Sequence, residues 1–163
     1  MPRQEIILAF LQAQNIPYTL VQHPPAYNMQ DIAAFGVTAH GHVCKNLFLR
    51  DSKKGKHHFL VTARGDLPVD LDTLGEKLGW RLSFASEERL LRHLQLTPGQ
   101  VSPLAAYFNQ DNAVQVVLDA GLAALGTVGV HPCDNAATVF LSFDDLVRAV
   151  KACGNPVSVM ELA

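Results

Sequence analysis

Charge is scarce in this 163-residue chain. Charged residues make up 17% of it, and 13 lysines and arginines nearly cancel 15 aspartates and glutamates, leaving a formal net charge of −2. A protein that wraps nucleic acid non-specifically carries a basic excess, so any nucleic-acid contact here must be local. No block of like charge stands out, and 48% of residues are hydrophobic, which excludes a disordered acidic or basic chain. No apolar run approaches the ~18–20 residues of a membrane span. The first residues, Met1-Pro2-Arg3-Gln4-Glu5, carry an acid early and lead to no small-residue cleavage site, so no signal peptide is expected. Cysteine is scarce too. The 3 present are Cys44, Cys133 and Cys153, with no CxxC. That pattern argues for a reducing, cytoplasmic setting and against a disulfide framework.

Common catalytic signatures are also missing. There is no G-x-S-x-G, no P-loop, no G-x-G-x-x-G and no H-E-x-x-H, which removes nucleophile-elbow hydrolases, simple nucleotide binders and zincins.

What is present reads as one domain over 1–163, since a compact domain runs to ~150 residues and no Pro/Gly/Ser-rich linker divides the chain. A helix is predicted over Arg3–Gln14, with Ile6, Ile7, Phe10 and Leu11 on one face. A strand follows at Tyr18–Val21, then the His23-Pro24-Pro25 turn. Asn28 caps a short helix through Phe35, closed by Gly36. Val43–Arg50 and His58–Ala63 form a hairpin around a polar, Gly-containing link. Asp70 and Ser86 cap helices through Lys77 and Leu94. Strands are expected at Val114–Leu118, Thr127–Val130 and Thr138–Leu141. Ser142 caps a last helix with the stripe Phe143, Leu146, Val147 and Val150, and Val157–Val159 returns as an edge strand. Intermixed strands and helices with an antiparallel hairpin predict an α/β fold: a mixed, partly antiparallel sheet flanked by helices.

Five constellations carry possible chemistry. His40, His42 and Cys44 share one face if the segment is extended and would suit zinc in a metal-dependent hydrolase. An exposed loop running into a buried cysteine gives the same letters. Lys45-Asn46, at the start of an apolar strand, pairs a cation with an amide that both donates and accepts; a snorkelling lysine beside a turn asparagine is the plainer account. Gly129 and His131, in Gly126–Asn135, let backbone approach a ligand, or simply close a strand end. Gly99-Gln100-Val101-Ser102-Pro103 is a bracketed turn whose amides can face an oxyanion. Arg50, Lys53, Lys54, Lys56, His57 and His58 make a basic hairpin able to touch phosphates, with Arg89 and Arg92 nearby but offset by Glu87 and Glu88.

In this order and over nearly the whole chain, Cys44-Lys45-Asn46-Leu47-Phe48-Leu49-Arg50-Asp51, the Gly99-to-Pro103 loop and Gly129-Val130-His131-Pro132 with Asn135, Thr138 and Val139 resemble the YbaK/ProX family of aminoacyl-tRNA editing domains. Lys-Asn looks most like the freestanding members that hydrolyse Ala-tRNA(Pro), and less like the Cys-tRNA(Pro) deacylases, associated with Lys-Thr there. The resemblance implies a deep pocket with no metal and no cofactor. It implies that Lys45 and Asn46 hold the 3′-terminal aminoacyl-adenosine, with His131 as general base or hydrogen-bond partner and Gly129 lining the pocket. It assigns ester positioning to Gly99, Ser102 and Pro103, and the apolar wall around the amino acid to Met29 and Ile32. The implied partners are the acceptor end of tRNA(Pro) and prolyl-tRNA synthetase, with no membrane; a monomeric chain is expected because no apolar stripe is left over. A non-catalytic tRNA- or synthetase-binding module of the same fold is the remaining reading.

Overall fold

A computed structural model describes residues 2–162. Helix α1 (Arg3–Ala13) leads into strand β1 (Thr19–Gln22). Helix α2 (Met29–Ala34) and a 3-10 turn (Val37–His40) precede the long hairpin of β2 (His42–Asp51) and β3 (His58–Arg64). Then come α3 (Leu71–Leu78), β4 (Leu82–Phe84) and α4 (Glu87–Leu94), and a 3-10 segment, Pro103–Phe108. Strand β5 (Gln115–Asp119), a 3-10 segment at Ala120–Leu125, β6 (Thr127–Val130), β7 (Ala137–Ser142), α5 (Phe143–Ala152) and β8 (Val157–Met160) complete the chain.

The helix starts follow capping chemistry. Asn28, Asp70, Ser86 and Ser142 each accept a backbone N–H from the first turn of the helix they precede, satisfying donors the helix cannot. The sheet order is β1-β7-β6-β2-β3-β5-β8, with β4 also beside β2. Pairs β2–β3, β2–β4, β6–β7 and β1–β7 are antiparallel; β2–β6, β3–β5 and β5–β8 are parallel. The mixed sheet expected from sequence is therefore present, and β8 is its parallel edge.

Period-two alternation sorts side chains onto two faces. Leu60, Val116 and Leu118 join Leu11, Leu94, Leu104 and Leu146 on the face covered by α1, α4 and α5. Phe59, Val61, Ala63 and Val117 face Leu74 of α3. A third, smaller cluster joins Ile32 of α2 to Ala26, Val37, Val43 and Phe140. Strand β4 escaped the sequence reading because three residues are too few to show a period; it is held by register, Leu49 opposite Phe84.

Candidate active site

The site grows out of a gap in the sheet. On the side away from β3, strand β2 pairs with β6 only at His42 and Val43, and with β4 only from Leu49 to Asp51. Between those contacts β2 has one strand neighbour, β3, among the described residues. A cavity of about 370 Å³ opens against Cys44, Lys45 and Asn46.

Two hydrogen bonds fix the polar pair. The Lys45 ammonium donates to the Leu67 carbonyl. It has three donors, so two stay available. The Asn46 Oδ1 accepts from the Thr62 hydroxyl at 2.8 Å, from the buried face of the strand opposite. That bond orients the amide and leaves its NH₂ as the free end. Cys44 is buried, and burial pushes its thiol up to about 12. It stays protonated near neutrality and is no nucleophile.

Helix α2 supplies the apolar wall. Met29 and Ile32 sit three apart on it, a spacing that puts both on one helix face, and both line the cavity. Met29 and Val43 also line a second hollow of about 770 Å³, so Met29 divides two spaces. The approach to α2 is tied down on both sides. His23 and Ala26 donate backbone N–H groups to the carbonyls of Ala136 and Asn135. Asn28 accepts from Asp31, and Asp31 accepts from the Tyr27 N–H at 3.0 Å.

The third side comes from the Gly99 loop and His131. Gly99 has φ +88, and a side chain there would crowd the Tyr27 ring; both residues line the cavity with Val101. The His131 Nδ1 lies 3.1 Å from the Ala137 carbonyl. A carbonyl only accepts, so Nδ1 carries the proton and Nε2 is left as an acceptor in the neutral ring. Burial lowers the affinity of this ring for a second proton.

Of the residues singled out from sequence, Met29, Ile32, Lys45, Asn46, Gly99 and His131 meet at one cavity. Ser102, Pro103 and Gly129 lie behind its walls. Ser102 is fully buried and its hydroxyl donates to the His131 carbonyl at 2.5 Å, tying the loop to the histidine. Pro103 is buried at the start of a 3-10 segment. At Gly129 a Cβ would come within 2.7 Å of the Phe140 ring, so this glycine admits the close packing of that ring.

The metal triplet is not assembled. His40 ends a 3-10 turn with its ring against Phe140, the backbone bends at Gly41, and Cys44 points into the core. The extended run that would align the three begins only at His42. Among the described residues no group of three His, Cys, Asp or Glu is placed to hold a metal. The basic hairpin also divides. Lys53, Lys54 and Lys56 are exposed, whereas Arg89 closes the turn by donating to the Gly55 carbonyl at 2.7 Å and to His58, which is buried. Tyr27, Thr62 and Leu67 were not anticipated. Thr62 and Leu67 act only through the fold, and no local sequence signal marks them.

The arrangement defines a class: a cavity with an apolar wall, beside a strand that offers a cation, an amide and a neutral imidazole. Comparison with known proteins names that class. The family model for the aminoacyl-tRNA editing domain matches residues 23–149. The chain is 43% identical over 163 residues, 99% of each chain, to "Prolyl-tRNA editing protein ProX" of Acetoanaerobium sticklandii. It is 37% identical over 150 residues to the "Prolyl-tRNA synthetase associated domain-containing protein 1" of Mus musculus, covering 89% of this chain and 88% of that one. A crystal structure of a candidate trans-editing enzyme for prolyl tRNA synthetase superposes with a TM-score of 0.75 at 20% identity, over 100% and 99% of the two chains, a likeness of fold. The chain belongs to the aminoacyl-tRNA editing domain family, the YbaK/ProX family that its motifs resemble, and is an aminoacyl-tRNA deacylase.

Proposed function

We propose that residues 1–163 form one editing domain that hydrolyses mischarged Ala-tRNA(Pro) in trans, without a metal and as a monomer. The observation that carries this reading is the meeting of Lys45, Asn46, Gly99 and His131 around a cavity of about 370 Å³ walled by Met29 and Ile32. The matching name of the bacterial relative supports the tRNA(Pro) assignment, and delivery by prolyl-tRNA synthetase in the cytoplasm fits it.

An aminoacyl ester is already activated, so hydrolysis needs a positioned water and a stabilised oxyanion more than a nucleophilic side chain. The free Lys45 and Asn46 donors hold the terminal adenosine and the acyl group. The unprotonated His131 nitrogen accepts a hydrogen bond from water or substrate. Proline is rejected by size. A pocket built for proline cannot strongly exclude alanine, because a few methylenes are worth only ~1–3 kcal/mol; a second, smaller pocket destroys the smaller product. Met29→Ala opens the wall toward the second hollow, so it and Ile32→Ala are expected to let larger aminoacyl groups be cleaved.

The deciding experiment is single-turnover deacylation of Ala-, Cys- and Pro-tRNA(Pro), with and without chelator, for wild type, Met29→Ala and Ile32→Ala. Chelator-insensitive loss of the alanyl ester alone, with Pro-tRNA(Pro) gained in the variants, supports the reading. Turnover that chelation abolishes, or an unchanged size preference in both variants, refutes the corresponding part. Binding without turnover of any ester would leave a carrier module.

A further inference from the structure

Lys45 is held by one carbonyl, and that carbonyl sits on a turn with its own fastening. The turn runs from Arg64 to Leu67 and is closed by the Leu67 N–H donating to the Arg64 carbonyl at 3.1 Å. Arg64 is clamped in turn to Asp119, at the end of the neighbouring strand. The Arg64 backbone N–H and Nε both donate to Asp119 Oδ2, at 3.2 and 2.8 Å, while Oδ1 takes the Gly121 N–H at 2.9 Å. Asp119 is fully buried. The same turn carries Gly65, where a Cβ would meet the Val43 carbonyl at 2.5 Å and the tip of Met29 at 2.8 Å.

We propose that the Arg64–Asp119 ion pair is a positioning pair for the editing reaction, acting through the Arg64–Leu67 turn to hold the Lys45 ammonium. This rests on the reading of Lys45 as the group that holds the aminoacyl end. Three observations converge on it. The chain of contacts from Asp119 to Arg64, the turn, the Leu67 carbonyl and Lys45 has no missing link. The pair is poorly made for stability alone, since Arg64 is only half-buried yet its Nη2 is buried with no hydrogen-bond partner among the described residues, and an incompletely satisfied, partly desolvated pair contributes little net stability. Gly121 leaves room for the guanidinium: a Cβ there would lie 2.6 Å from Arg64 Cζ and Nε. Strand β3 thus serves both polar groups, Asn46 through Thr62 and Lys45 through Arg64.

Gly121→Ala is the cleanest probe, because it displaces the guanidinium without changing any charge. Three quantities are measured on the full chain for wild type, Gly121→Ala, Lys45→Ala and the double variant. They are kcat/KM for Ala-tRNA(Pro), affinity for a non-hydrolysable alanylamido-adenosine, and the ¹⁵Nζ signal of Lys45 in the free protein. Gly121→Ala, with unfolding followed in parallel, is expected to lower kcat/KM and affinity about ten-fold, in line with the cost of sub-ångström misplacement, and to broaden the Lys45 signal. Added to Lys45→Ala it should cost nothing further. Should Gly121→Ala fail to fold, Arg64→Lys and Arg64→Met take its place in the same cycle, the lysine retaining more activity than the methionine. An unchanged Lys45 signal, or the same loss in the Lys45→Ala background, overturns the inference. If wild type neither cleaves nor binds, the functional reading has failed, and the Lys45 spectrum still decides this one.

Discussion

The two ends of strand β2 both carry polar side chains in low-polarity surroundings, and they treat them in opposite ways. At the hairpin end Asp51 is 1% exposed and accepts four backbone N–H groups, from Lys54, Gly55, Lys56 and His57 at 2.8–2.9 Å. Those bonds, that from His57 foremost, hold its carboxyl well below the usual carboxylate range, and they use the capacity of both oxygens. At the cleft end Lys45 and Asn46 each make one side-chain bond within the protein and keep donors in reserve. On the proposed function, what separates a structural polar group from a binding one is unspent hydrogen-bonding capacity facing a cavity.

The sharpest way to break that contrast is to exchange the damage. Lys45→Ala is expected to slow single-turnover deacylation about 100-fold or more while the thermal midpoint stays near wild type. Asp51→Ala should do the reverse: four backbone donors lose their acceptor, the midpoint drops sharply, and the rate per folded molecule holds. A large stability loss in Lys45→Ala, or a rate loss in folded Asp51→Ala, would end the distinction.

Thr62→Val tests the orienting bond at the cleft end. Valine keeps the buried shape but frees the Asn46 amide to turn, so kcat/KM should fall about ten-fold, most of it in KM, with a stability change of about 1 kcal/mol. If Asn46 is bland, KM will not move.

Much of this was legible in the sequence. Caps at Asn28, Asp70, Ser86 and Ser142, the hairpin and the strand-sized runs are local chemistry, and the structure contains them. Met29 and Ile32 came from the family resemblance, their spacing adding only a shared helix face, and they line one cavity with Lys45 and Asn46. What stayed hidden is set by register and long-range contact. Gly129 looked like a ligand-facing glycine, but its open side is filled by Phe140, two strand positions from Thr138 on the neighbouring strand. Ser102 acts on His131 from 29 residues away, and Thr62 and Leu67 acquire meaning only when β3 lies beside β2.

Acid should separate the two ends again. Burial first, then His93, Arg89 and Arg50 with Asp51 opposing, depress the buried His58 to about 4 from its ordinary 6.5. Its ring lies 4.0 Å from that of His93, itself lowered chiefly by burial, with the charges of Asp111, Arg92 and Arg89 around it. An unfolded chain takes up protons as pH falls from 6.5 toward 4 and the native His58 does not, so stability is full above that window and declines through it. The loss from this residue is about 3 kcal/mol at 1.36 kcal/mol per pKa unit. Denaturant midpoints across pH 4–7 should show the decline in wild type and less of it in His58→Phe; equal slopes would remove His58 as the source.

The smallest effect is expected at the hairpin tip, and it bears on why β2 is long. Lys53, Lys54 and Lys56 are exposed, and their turn lies about 20 Å from Lys45 at ~3.3 Å per strand residue. A stem whose 3′ end enters the cleft can lay its phosphates near such a tip. These lysines sit at the rim in full solvent, so replacing all three by alanine should weaken binding of a tRNA acceptor minihelix only a few-fold near physiological salt. The diagnostic is the slope of log affinity against log salt, which should flatten by up to ~0.7–0.9 for each phosphate no longer neutralised, while cleavage of an aminoacyl-adenosine lacking the stem stays unchanged. An unaltered slope would make the tip a solvated turn, and the Asp51 end of β2 would then serve the hairpin alone.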